Sequence, residues 1–192
     1  MMIRTKPIAA CMLALGCATG HATTVALPSD GSWQEFTVDN FVGPSFGTQW
    51  IDFADGSPLS FQFTVPTGFV AQLTVVDAGF AGDTFTVSNG GAVIGTTSAV
   101  AAGTTAGSVV FDFDEALANP AYSRGTFTLA AGSYSIGGAL LQSVVDDGGL
   151  ALNATNGALK LSVTAVPEPA SFALLLAGLG VVGLLARRAP RA

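Results

Sequence analysis

In "LSFQFTV", the apolar residues Leu59, Phe61, Phe63 and Val65 alternate with the polar residues Ser60, Gln62 and Thr64. Successive side chains of a strand point to opposite faces, so a period of two predicts a half-buried strand with the apolar set inward. "SWQEFTVD" brings Trp33, Phe36 and Val38 together among polar residues, and "FVAQLTVVDA", "DTFTVSNGGAVIGTTS" and "ALKLSVTAV" continue the pattern. Within "SNGG", Asn89-Gly90 readily takes positive φ and predicts a tight hairpin turn. "GTFTLAAGSYSIGGALL" reads as a second hairpin: Thr126 to Leu129, a turn at Ala130 to Gly132, then Ser133 to Ile136. "VVFDFDEALANPAYSRG" is the longest departure, and predicts one helical turn from Asp114 to Ala118 with Asp114 as its N-cap. About eight to ten short strands, with turns every eight to twelve residues or so, predict an all-β fold. The expected architecture is an antiparallel β-sandwich, jelly-roll-like, over residues 23–165.

Both ends of the chain break this pattern. "MMIRTKPIAACMLALGCATGHATT" opens with Arg4 and Lys6, turns apolar from Ile8 to Cys17 and ends in small residues. Gly20 and Ala22 suit the minus-three and minus-one positions of a signal-peptidase site, so residues 1–22 read as a signal peptide cut after Ala22. The apolar run is short for a membrane span. A lipoprotein cut before Cys17 is the weaker reading, because Leu15 and Ala14 stand in the reverse of the usual order.

At the other end, "SFALLLAGLGVVGLLA" runs from Ser171 to Ala186 without a charge. As a helix it rises about 24 Å, short of a hydrocarbon core of roughly 30 Å. The expected transmembrane helix covers about 170–186, with arginine side chains snorkelling at its end. Arg187, Arg188 and Arg191 follow at once, which places the C-terminus in the cytoplasm. Pro167 and Pro169 flank Glu168 just before the helix and favour extended backbone there.

Charge and composition exclude several classes of function. The 192-residue chain has a net charge of −6, but most of its basic residues sit at the ends. Between residues 23 and 166 only Arg124 and Lys160 oppose every acid except Glu168, a net of −10. Such a surface repels a phosphate backbone, so nucleic acid is not an expected partner. Cys11, Cys17 and His21 all lie in the leader. Without it the protein has no disulfide, thiol nucleophile, Cys/His zinc site or Ser-His triad.

The remaining candidate chemistry is acidic or aromatic. Asp112 and Asp114 in "FDFDE" fall on one face of a strand, with Glu115 beside them, and Asp146 and Asp147 lie in the glycine-rich "VVDDGG". Asp52 and Asp55 share one further segment, and Asp77 and Asp83 flank "AGFAG". Oxygen-only groups of this kind suit Ca²⁺, so Asp112, Asp114, Asp146 and Asp147 are the candidate metal ligands; no other cofactor is expected. The alternative is that they are solvated turn residues, since no EF-hand or nonapeptide spacing is present. No spacing selects a glycosidase pair, and no catalytic residue is expected. Trp33, Trp50 and Tyr122 would either stack on sugar rings or fill the core.

"VPEPASFALLLAGLGVVGLLARR" resembles the PEP-CTERM sorting signal, with Pro167, Glu168 and Pro169 as the motif, then the glycine-interrupted apolar helix and the arginines over residues 166–192. The resemblance implies recognition by an exosortase at the inner membrane, removal of the tail, and release to the surface or matrix of a Gram-negative bacterium. It also implies a connection with exopolysaccharide and biofilm. "DAGFAGDTFTVSNGGAVIGTTS" and "NPAYSRGTFTLAAGSYSI" are similar to segments of other PEP-CTERM proteins, with Tyr134 where those relatives carry a histidine. The expected protein is an exported, non-enzymatic component of an exopolysaccharide matrix. The alternative is a carbohydrate-binding module or a polysaccharide hydrolase.

Overall fold

The computed structural model describes residues 22–42, 47–166 and 169–188. Most of the expected signal peptide (1–21) lies outside the described residues, as do Pro167, Glu168, Arg191 and the side chains of Pro169 and Arg188.

Among the described residues, ten strands and two helices follow one another: β1 (Thr23–Ala26), β2 (Gln34–Asp39), β3 (Leu59–Val65), β4 (Phe69–Phe80), β5 (Thr84–Asn89), β6 (Ala92–Thr96), β7 (Val109–Val110), α1 (Phe113–Ala118), β8 (Arg124–Leu129), β9 (Gly132–Gln142), β10 (Ala154–Ala165) and α2 (Pro169–Arg188). They form two sheets. The first runs β1-β3-β9-β5-β6 and the second β2-β10-β4. Beyond β4 lie β8, along Ala71–Val76, and β7, at Gly79–Phe80. Every strand pair is antiparallel except β1 with β3. A parallel pair needs a long connection, and the excursion of β2 into the second sheet supplies it.

One core lies between the sheets. Phe36, Leu73, Val75, Leu159 and Leu161 enter it from the second sheet, and Phe61, Phe85, Val87, Ile136 and Leu140 from the first. The expected alternation in β3 is present: Leu59, Phe61 and Val65 are buried and Gln62 is exposed. Phe63 is half-buried and stacks on Tyr134 of β9 at 5.2 Å. A smaller cluster of Val76, Ala158, Ala116 and Tyr122 covers the outer face of the second sheet. Residues 48–51 seam the two sheets at one edge. There the Trp50 amide donates to Gly138 of β9, and the Ile51 amide donates to Thr37 of β2.

Three local expectations need correction. The β5–β6 turn is Gly90-Gly91, at φ 55° and 85°, one step beyond Asn89-Gly90. Two glycines take left-handed backbone with no Cβ penalty. Strands β8 and β9 do not pair with each other: β8 joins β4 and β9 joins β3 and β5. Each strand has an apolar face, and crossing between sheets lets Leu129 and Ile136 enter one core from opposite sides. Finally, Asp112 and Asp114 do not share a strand face, because α1 starts at Phe113 and Asp112, not Asp114, is its N-cap.

Among the described residues, no helix is long and apolar enough to cross a membrane. Helix α2 nevertheless exposes Leu174, Leu175, Leu176, Leu179 and Val182, so the sandwich does not cover them.

Candidate functional site

The acids singled out from sequence serve turns and caps. Asp112 Oδ1 accepts from the amides of Asp114 (3.0 Å) and Glu115 (2.9 Å). Asp114 Oδ1 accepts from Lys160 Nζ at 3.0 Å and from Trp33 Nε1 at 3.1 Å. These bonds, Lys160 first, hold the Asp114 carboxyl below the usual carboxylate range. Asp146 Oδ1 accepts from the amides of Gly148 (2.8 Å) and Leu150 (2.9 Å), and Asp147 lies exposed in the same turn. Asp39, Asp52 and Asp55 each accept from the amide two residues on, the usual side-chain brace of a tight turn. Among the described residues, no three or more His, Cys, Asp or Glu side chains are grouped so as to hold a metal ion.

The aromatic candidates are also occupied. Trp50 is buried and stacked on Phe36. Tyr122 is buried, and its hydroxyl donates to the carbonyls of Gly79 (2.9 Å) and Ser108 (3.1 Å). Trp33 lies under Lys160, whose ammonium is 4.1 Å from the ring centroid. The structure instead exposes phenylalanines that the alternation did not mark. Phe53 and Phe111 are 86% and 67% exposed. With Phe80 and Val109 they line a groove of about 290 Å³, rimmed by the polar residues Thr37, Asp39, Thr155 and Asn156. The groove sets exposed phenyl rings beside amide, hydroxyl and carboxylate groups.

Two further acids are entirely enclosed. Asp77 and Asp83 are 0% and 1% exposed. Asp77 continues the inward register of Leu73 and Val75 in β4, and it pairs with Gly157, whose missing Cβ would meet the Phe36 ring. Asp83 follows the turn into β5, so the pair brackets the corner where the chain leaves one sheet for the other. The Gly82 amide approaches Asp77 Oδ2 at 3.4 Å, and the Val144 amide donates to Asp83 Oδ1 at 2.7 Å. Asp77 Oδ1 has no hydrogen-bond partner. Burial pushes the Asp77 carboxyl up to about 9, and the neighbouring Asp83 adds to the effect. Burial raises Asp83 too, and the hydrogen bond from the Val144 amide opposes the rise. Gln142 closes the corner by donating to the carbonyls of Gly82 and Val100.

The tail is the remaining functional element. Arg187 is exposed near the end of α2. Residues 165–191 match the PEP-CTERM protein-sorting motif. The chain therefore carries the sorting signal of proteins targeted to an exosortase. It is an exported protein of the cell surface or exterior of a Gram-negative bacterium, with exosortase as its processing partner. No curated protein matches the chain. Among solved structures, the chain is similar to the pre-peptidase C-terminal domain of a collagenase from Bacillus anthracis. Identity is 10% over 74% of this chain and 95% of that one, with a TM-score of 0.37. So distant a likeness bears on neither fold nor function.

Proposed function

We propose that the protein is a non-enzymatic component of an exopolysaccharide or biofilm matrix, delivered by its two ends and working through its β domain. In this reading signal peptidase removes residues 1–22. The apolar part of α2 then sits in the inner membrane with the arginines on the cytoplasmic side, and exosortase cuts near Pro167, Glu168 and Pro169. The sorting motif at 165–191 carries the reading. The exposed leucines of α2, which the β domain leaves bare, support the membrane step. The short apolar run is accommodated by local bilayer thinning and arginine snorkelling. The test is triple replacement of Pro167, Glu168 and Pro169 by alanine in an exosortase-bearing host. The variant stays in the membrane fraction at unprocessed mass, while the parent accumulates outside with the polysaccharide. Release of both at one mass refutes the processing step, and a released parent that does not co-purify with polysaccharide refutes the matrix role.

The groove of Phe53, Phe80 and Phe111 favours a second reading, a carbohydrate-binding module. A glycan array decides it. Selective binding that is lost in Phe53→Ala and Phe111→Ala supports the module, and cleavage of the glycan would instead make the protein a hydrolase.

A further inference from the structure

We propose that Asp77 and Asp83 are protein ligands of a divalent-cation site, of the kind that takes Ca²⁺, at the corner between β4 and β5. Both side chains are enclosed, the amide of Gly82, the residue next to Asp83, approaches Asp77 Oδ2, and the other Asp77 oxygen has no partner at all. The ion pair found among the described residues joins Lys160 to Asp114, far along the chain from this corner. Two carboxyls facing apolar surroundings without a counter-charge are expensive to keep. Asparagine or an aliphatic residue would brace the corner at lower cost, so the choice of two acids calls for a cation.

The donors also select the cation. The two side chains offer carboxylate oxygens, hard donors with no nitrogen or sulfur among them. Such a set suits Ca²⁺ over Zn²⁺ or copper. Mg²⁺ demands near-ideal octahedral geometry and dehydrates reluctantly, whereas Ca²⁺ accepts a more flexible oxygen shell. The turn acids differ in kind: Asp112 and Asp146 each give one oxygen to two backbone amides and face solvent. A cation between β4 and β5 would tie the second sheet to the first at the three-residue turn Ala81–Asp83 that joins these two strands.

The experiment uses the EDTA-treated full-length chain and CaCl₂ as the probe. Calcium raises Tm by several degrees in the parent, because a ligand bound only to the native state stabilises by mass action. Asp77→Asn and Asp83→Asn each abolish that rise, and Asp146→Asn keeps it. An unchanged Tm at millimolar calcium overturns the site. So does a rise that survives in Asp77→Asn and Asp83→Asn, or one lost only in Asp146→Asn. If the Asp77 and Asp83 variants do not fold, titration calorimetry of the parent at pH 7, in buffers of different ionisation enthalpy, decides. Calcium displacing the proton that burial keeps on Asp77 releases about one proton per ion. Binding with no proton release would place the ion away from the buried Asp77 carboxyl, and overturns the proposal.

Discussion

The indole of Trp50 lies flat on the ring of Phe36, with 3.9 Å between centroids and 15° between planes. Phe85 meets the Phe36 ring edge-on at 5.1 Å. A glycine backs each stacked ring. A Cβ on Gly138 would come within 2.5 Å of the Trp50 ring, and one on Gly157 within 2.5 Å of Phe36. The two glycines let one sheet and then the other approach a pair of rings that neither could otherwise hold.

Gly138→Ala and Gly157→Ala are therefore expected to destabilise the domain by about 1–3 kcal/mol each, the usual range for overpacking a core. Both also crowd a backbone oxygen, Thr86 for Gly138 and Val76 for Gly157, which cannot move aside as a side chain can. Urea denaturation measures the loss. A variant as stable as the parent would mean that the aromatic pair has room to shift.

Strand β3 gives a paired comparison. Phe61→Ala empties a fully buried position and is expected to cost about 3–5 kcal/mol. Gln62→Ala changes an exposed side chain and should move stability by less than about 0.5 kcal/mol. Equal losses in equilibrium unfolding would refute the register.

Stability should fall as pH rises in the metal-free protein. An unfolded Asp77 loses its proton near the ordinary value of 3.8, whereas the folded one holds it up to about 9. Between those values the native state binds the extra proton. Its contribution is then fully present below about pH 4 and is lost towards pH 9, at no more than about 1.4 kcal/mol per pH unit for one group. Asp114, held low by Lys160, acts in the opposite sense only as the pH drops below the ordinary carboxylate range. Melting curves in EDTA from pH 5 to 8 check this, and Asp77→Asn should flatten the slope. A parent whose stability climbs across that range would show that both acids are ionised in the native state.

Removal of residues 167–192, which spares the bond from the Val166 amide to the Gly68 carbonyl, should leave the melting temperature of the β domain unchanged, since the described side chains of α2 are exposed. A lower melting temperature in the shortened chain would reveal a hidden contact.

The strands were legible because each obeys a local rule: alternation in "LSFQFTV" and a long apolar run in "FVAQLTVVDA". What those strands pair with was not. The apolar faces of β8 and β9 look alike whether the strands join each other or opposite sheets, and only the closed core decides. Asp77 was partly legible, since it falls in step with the inward residues Leu73 and Val75. Its burial still depends on Asp83 and on the closure by Gln142, which no local pattern encodes. Asp112 and Asp146 each already accept from two backbone amides, which sequence spacing cannot show. Trp50 and Tyr122 drew attention as ring-stacking candidates by type alone, while the exposed Phe53 and Phe111 sit in loops and carry no periodic signal.

Strand β10 is the last strand among the described residues, yet it lies in the interior of its sheet, with β2 on one flank and β4 on the other. In a chain exported N-terminus first, the second sheet has a gap at its centre until Ala154–Ala165 has emerged. Only three residues separate that strand from α2, a reach of about 10 Å when extended. Closure of the domain and arrival of its sorting signal thus become nearly one event. A chain that stalls short of its tail would stay open and recognisable to quality-control proteases, so what reaches the cutting enzyme has already passed a test of completeness.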